Sequence, residues 1–225
     1  MTQVLNNFIL PPRQNNSTAW LGCNLAKHPK KWITKLSSEH VAELQFALDK
    51  VLSDGLDITS ITQEDFPLPS LGPVLIELQQ ELLHGLGFAL VRGLEIEDLT
   101  KEEICTIFFG LGSYLGHARS QNAAGELLGH VKDIGVSSLD NSVRIYQTNE
   151  RQTFHTDSSD VVGLLCLRQA RYGGESMLVS ASSIYNAFLE KRPDLLPRLF
   201  DPIGTDRRGE VPNDMKPYFE IPVFT

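Results

Sequence analysis

Phe154-His155-Thr156-Asp157 opens a stretch that runs on through Asp160-Val161-Val162-Gly163-Leu164-Leu165-Cys166-Leu167 and turns at Gly173-Gly174-Glu175-Ser176. Alternate residues of an extended strand project from the same face. On such a strand the His155 imidazole and the Asp157 carboxylate stand side by side and can grip one metal ion. The apolar run over 161–168 has the composition of a buried strand. Two adjacent glycines then favour a tight turn into a further strand over 175–180. The pair would sit at the rim of a sheet, with a packed core behind it.

A histidine and a carboxylate are two of the three ligands in the facial triad of non-haem Fe(II) oxygenases. Alone the pair is weak evidence: with 6 histidines and 28 acidic residues in 225, roughly one His-x-carboxylate arises by chance. The competing reading is a surface histidine beside an aspartate. Only the strand and the turn that follow favour the metal site. The third ligand of a triad should be another histidine, yet the six are His28, His40, His84, His117, His130 and His155, and none follows the triplet. His117 and His130 both precede it, and His130, in a strand-like run over 127–131, reads better as a core or rim residue.

Working outward, short strands are expected at 127–131, 143–147, 161–168 and 175–180. Before them the pattern is helical. Val41, Leu44, Leu48 and Val51 share one face of a helix over 38–52, and Gly55 follows it. Phe66-Pro67-Leu68-Pro69 is a stiff extended connector. Ser70 is placed to cap a second helix, with Pro73 in its first turn and Gly85 at its exit. Residues 87–92 read as a buried strand. Thr100 and Glu103 announce a third helix as a capping box, ended by Gly112 and Gly116. Residues 182–191 form a helix, 194–199 add a turn, 204–209 form a loop, and 216–225 are extended, with Ile221, Val223 and Phe224 lacking a partner. Residues 1–36 read as an irregular arm pinned by Trp20 and Trp32. Helices first and short strands later predict an α+β protein built on a β-sandwich or barrel.

The bulk numbers are those of an ordinary globular chain: 41% hydrophobic, 21% charged, net charge −8. That charge argues against a nucleic-acid partner or an anionic membrane surface, and Lys27, Lys30 and Lys31 read as a solvated patch. Cys23, Cys105 and Cys166 are odd in number, widely spaced and fit no zinc pattern, which suggests reduced thiols. Cys166 reads as a small core residue. The first residues lack a signal-peptide pattern, and no segment is long enough to span a bilayer. The expectation is a cytoplasmic protein.

The motifs quoted at the outset resemble those of the TauD/TfdA-like Fe(II)- and 2-oxoglutarate-dependent dioxygenases, in particular the fungal-type branch. Ser183-Ile184-Tyr185-Asn186, Arg192-Pro193-Asp194-Leu195 and Phe66-Pro67-Leu68-Pro69 extend the resemblance over most of the chain from about residue 20. The resemblance implies a double-stranded β-helix, a squashed jelly-roll, preceded by helices. It implies that His155 and Asp157 bind Fe(II), and that Ser176 contacts the carboxylate of the cosubstrate 2-oxoglutarate. Tyr146 and Asn149 become candidates to line the pocket of a small-molecule substrate. For Ser176, Tyr146 and Asn149 the competing reading is an ordinary strand or turn residue.

The family pattern also has a distal histidine and, beyond it, an arginine for 2-oxoglutarate. Neither has a matching position, since Arg207 and Arg208 come too early. The expectation is one domain over 37–225, truncated at its C-terminal end, with an incomplete barrel whose unpaired strand edges favour self-association. Two functions remain open: a dioxygenase, or an inactive remnant or interaction protein of the same fold.

Overall fold

Helix α2 (Ser38–Asp54) forms where the apolar spacing places it, and its ends show why. The Ser37 hydroxyl accepts from the His40 amide at 3.2 Å, and the His40 ring accepts from the Ser37 amide at 3.3 Å, a reciprocal cap. Gly55 ends the helix at φ 63, a left-handed conformation that favours glycine. These coordinates are a computed structural model that describes residues 9–122, 125–139, 143–157, 159–207, 211 and 214–225. The chain divides into two compact units, each discontinuous in sequence: residues 23–130 with 154–176, and residues 1–22 with 131–153 and 177–225.

In the first of these units α2 packs against α3 (Leu71–His84) and α4 (Lys101–Ser113). The start of α3 differs from expectation. Ser70 is helical and its hydroxyl makes no capping bond. Glu43 of α2 takes that role: its carboxylate accepts the Ser70 amide at 2.8 Å and the Leu71 amide at 3.0 Å. Burial pushes the Glu43 carboxyl up, but hydrogen bonds from Ser70 and Leu71 outweigh it and hold it below its ordinary value. One helix therefore caps the next. Helix α4 opens on the expected Thr100–Glu103 box. It runs through Gly112 rather than ending there, because nothing at that position demands a left-handed backbone.

The connector 66–69 is stapled to the end of α4. The Tyr114 hydroxyl accepts from the Leu68 amide and donates to the Phe66 carbonyl, both at 3.0 Å. Phe66 is fully buried and lies over Gly110, where a Cβ would come within 2.5 Å of its ring. Strand β1 (Ile33–Lys35) pairs in parallel with β2 (Leu90–Arg92), register Ile33↔Leu90. The stretch 1–36, expected to be irregular, thus contributes a strand, and it also holds the short helix α1 (Gly22–Leu25). The strand expected over 87–92 shrinks to three residues and is largely exposed rather than buried, since it has a single neighbour. The Trp32 ring stacks near Phe88 and its Nε1 donates to the Leu25 carbonyl at 3.1 Å.

In the other unit α5 (Ala181–Lys191) and α6 (Leu196–Leu199) precede an antiparallel hairpin of β3 (Ile203–Asp206) and β4 (Tyr218–Ile221). Ser180 caps α5, its hydroxyl accepting from the Ser183 amide at 2.9 Å. Residues 204–206, expected in a loop, are strand because 218–220 supply them with a ladder. Residues 208–210 lie outside the described residues. The segment 216–225, expected to lack a partner, has one. Ile221 pairs with Ile203, and the amides of Val223 and Phe224 both donate to the Leu199 carbonyl. Phe224 joins Tyr185 and Phe200 in a three-ring cluster.

Helix and strand are mixed, as an α+β chain requires, but the described residues hold two two-stranded sheets and no closed barrel. None of the strands expected at 127–131, 143–147, 161–168 and 175–180 is a strand among them. Residues 145–147 form a single 3-10 turn, joined to 132–134 by two backbone bonds. The run over 161–168 is irregular, with Leu164 75% exposed, and Cys166, expected in a core, is exposed as well. The physical reason is common to all four. An apolar extended segment becomes a strand only when a neighbour meets its amides and carbonyls, and composition supplies no neighbour.

Candidate functional site

His155 and Asp157 lie on an irregular segment of the first unit, between the exposed Phe154 and residues 159–160. The extended-strand argument placed their side chains together, and the structure does bring them together: His155 Nε2 lies 3.6 Å from Asp157 Oδ1. About half of each side chain is exposed, 46% and 55%. Behind them the chain leans on α4, where a Cβ on Gly163 would stand 3.3 Å from the tip of the Phe108 ring. Phe108 lies on α4 and is half-buried. The signal of this contact is a glycine inside an apolar run.

Gly173 and Gly174 adopt consecutive left-handed conformations, φ 69 and 77, so the expected turn is present although the strands flanking it are not. Ser176, two residues on, is exposed and belongs to the same unit as His155. Tyr146 and Asn149 belong to the other unit. Tyr146 is half-buried in the 3-10 turn, its carbonyl accepting from the Lys132 amide at 3.1 Å, and Asn149 is exposed. A groove of about 390 Å³ lined by Glu39, Phe46, Pro67 and Pro69 contains none of these residues.

The donor set suits a divalent iron in kind. An imidazole nitrogen and a carboxylate oxygen are ligands such an ion takes, and an octahedral ion with bonds of about 2.1 Å sets neighbouring donors about 3 Å apart. The observed 3.6 Å is a small rotation of two exposed side chains away. The set falls short in number. Among the described residues no three of His, Cys, Asp or Glu gather to hold a metal, and His117 and His130 are exposed without completing one.

Comparison with known proteins converges on one family. Residues 54–225 match the model of the taurine catabolism dioxygenase TauD, TfdA family. The FR-33289 synthase of Streptomyces rubellomurinus is 33% identical over 195 residues, 86% of this chain and 58% of that protein. The taurine hydroxylase-like protein SAT17 of the fungus Stachybotrys chartarum is 32% identical over 198 residues, 84% of this chain and 51% of that protein. The chain thus spans a little over half the length of these curated relatives. Family members depend in general on Fe(II) and 2-oxoglutarate, and His155, Asp157 and Ser176 all fall inside the matched range. With 172 of its 225 residues matched to the family model, the chain belongs to the TauD/TfdA family of dioxygenases.

Proposed function

We propose that this chain carries part of an Fe(II)- and 2-oxoglutarate-dependent dioxygenase centre, in which His155 and Asp157 supply two ligands to the metal. The observation that carries this reading is the approach of His155 Nε2 to Asp157 Oδ1 in a segment whose neighbours match the family. When bound, the iron supplies the oxidative decarboxylation of 2-oxoglutarate coupled to oxidation of a substrate. The chain's own contribution is placement. His155 and Asp157 would offer the ion two neighbouring donors, an imidazole nitrogen and a carboxylate oxygen. In this reading the Ser176 hydroxyl donates to a carboxylate oxygen of 2-oxoglutarate.

The substrate belongs to the small organic acids and amines. That class rests on the family, whose name and one relative's name both carry taurine, a small aminosulfonate. Three free thiols fit a reducing, intracellular setting. A net charge of −8 disfavours a nucleic-acid partner.

A second reading has an observation of its own. The exposed apolar side chains of Val162, Leu164 and Tyr172, on a segment without a strand ladder, fit an inactive relative or one that associates with itself through unpaired extended edges. Iron binding separates the two. Stoichiometric iron and succinate formation, both lost in His155→Ala and Asp157→Ala, support the enzyme. Absence of bound iron at every protein concentration supports the inactive reading. Iron affinity that rises with protein concentration supports a centre completed by self-association.

A further inference from the structure

The stretch 11–20 lies along α5 and is held mainly through its own main chain. The Gln14 amide donates to Asn186 Oδ1 and Asn186 Nδ2 donates to the Gln14 carbonyl, both at 2.8 Å. A buried side-chain amide thus pairs with one residue's backbone as a neighbouring strand would. The Tyr185 hydroxyl donates to the Pro11 carbonyl and the Ser180 hydroxyl to the Thr18 carbonyl. The Ser183 hydroxyl donates to the Trp20 carbonyl at 2.6 Å, and the hydroxyls of Thr18 and Ser182 pair at 2.7 Å. Arg13 and Glu190 add a charged contact of 3.7 Å between exposed side chains, which contributes little.

The stretch turns at 16–19, where the Ala19 amide donates to the Asn16 carbonyl at 3.1 Å, and the α5 side reads its main-chain groups before and after that turn. The attachment is also separable from the core. No residue of 11–20 is buried, while α5 has a second anchor in the ring of Tyr185, whose hydroxyl holds the strap but whose face packs against Phe200 and Phe224 at centroid distances of 6.3 and 5.5 Å. Two different forces therefore act on the two partners: polar pairing holds the stretch, and aromatic packing holds the helix.

We propose that the polar face of α5 is a receptor for exposed main-chain groups and that residues 11–20 are its releasable occupant, a strap that opens as one unit while α5 stays packed. Trypsin reads this directly on the full chain. Arg13 lies within the strap, and the bond after Lys191 closes α5, so cleavage at each site reports opening of its own element. Asn186→Ala removes both amide bonds and should raise cleavage after Arg13 by roughly tenfold, with cleavage after Lys191 within about twofold of wild type. Ser183→Ala leaves the α5 cap and the buried amide intact and should raise cleavage after Arg13 by a few-fold.

A synthetic peptide of residues 9–21 carrying Arg13→Gln, added in excess, should compete for the receptor. It should speed cleavage after Arg13 in the unaltered chain and have no effect in Asn186→Ala. Parallel rises after Arg13 and Lys191 in either variant would overturn the proposal, because the strap would then be an inseparable part of the unit. An unchanged Arg13 rate in both variants, or no response to the peptide, would overturn it equally.

Discussion

Residues 37–114 and residues 154–176 belong to the same compact unit, and both carry long apolar runs, yet they end up in opposite conditions. In the first region every element closes on another: Glu43 caps α3, Tyr114 staples the 66–69 connector, and Phe66, Leu44 and Leu71 are sealed from solvent. In the second, Val162, Leu164 and Tyr172 stand exposed and none of its described residues joins a ladder. The difference lies in where hydrogen-bond partners come from. A helix satisfies its own backbone and needs a neighbour only for one face. A strand needs a neighbour for its backbone as well. The helical region can therefore be finished by its own residues, while the segment that bears the iron-site pair depends on whatever is laid beside it.

Core truncation tests the contrast at its widest. Phe66→Ala should destabilise by about 3–5 kcal/mol, since a fully buried ring leaves a cavity, whereas Leu164→Ala in the other region should cost less than about 0.5 kcal/mol. Thermal or urea unfolding followed by circular dichroism reads both, and similar losses would erase the distinction. Tyr114→Phe comes next. It leaves the Leu68 amide and the Phe66 carbonyl without their shared partner, at a cost of about 1–3 kcal/mol in the same assay.

Legibility followed the same divide. The three long helices were readable because periodicity, capping boxes and glycine stops are local signals, and Thr100 and Gly55 act as such signals should. The one long-helix start that misled was Ser70, because its cap arrives from Glu43, 27 residues away, and no local pattern announces that. Most strands were misplaced, although β2 lies inside the expected 87–92 and β4 inside the extended 216–225. β3 was hidden in an expected loop because its ladder partner lies 12 to 18 residues on, while the apolar run over 161–168 advertised a strand that has no ladder. The His155–Asp157 pair was legible because i and i+2 proximity survives even in an irregular extended backbone. Which unit holds Tyr146 and Asn149 was not, since unit membership is set by contacts between distant segments.

Smaller effects probe how the helical region is tied together. Glu43→Ala should cost about 1 kcal/mol, the scale of a lost helix cap, and less in high salt. Because the folded chain holds the Glu43 carboxyl below its ordinary value of 4.5, the unfolded chain binds its proton first as pH falls. The contribution is therefore complete above the ordinary glutamate range and is lost as pH drops through the lower, folded value. Glu43→Gln keeps an acceptor and cannot ionise, so its stability curve should flatten on the acid side. An acid limb identical to wild type would assign the pH dependence to other carboxylates.

The smallest effect on stability is expected at the residues with the largest expected effect on function. His155 and Asp157 are half exposed and lie 3.6 Å apart as two solvated side chains. Such a pair contributes little to folding. His155→Ala and Asp157→Ala should each leave the unfolding midpoint within about 0.5 kcal/mol of wild type while removing bound iron, measured on the same metal-loaded protein by absorption and mass spectrometry. Metal linkage sharpens this. If the pair holds iron in the folded state only, adding Fe(II) should raise the midpoint of the unaltered chain and leave both variants unmoved. A midpoint that shifts equally in all three would place the iron elsewhere, and the exposed segment would then be no different in kind from the other solvated loops of its unit.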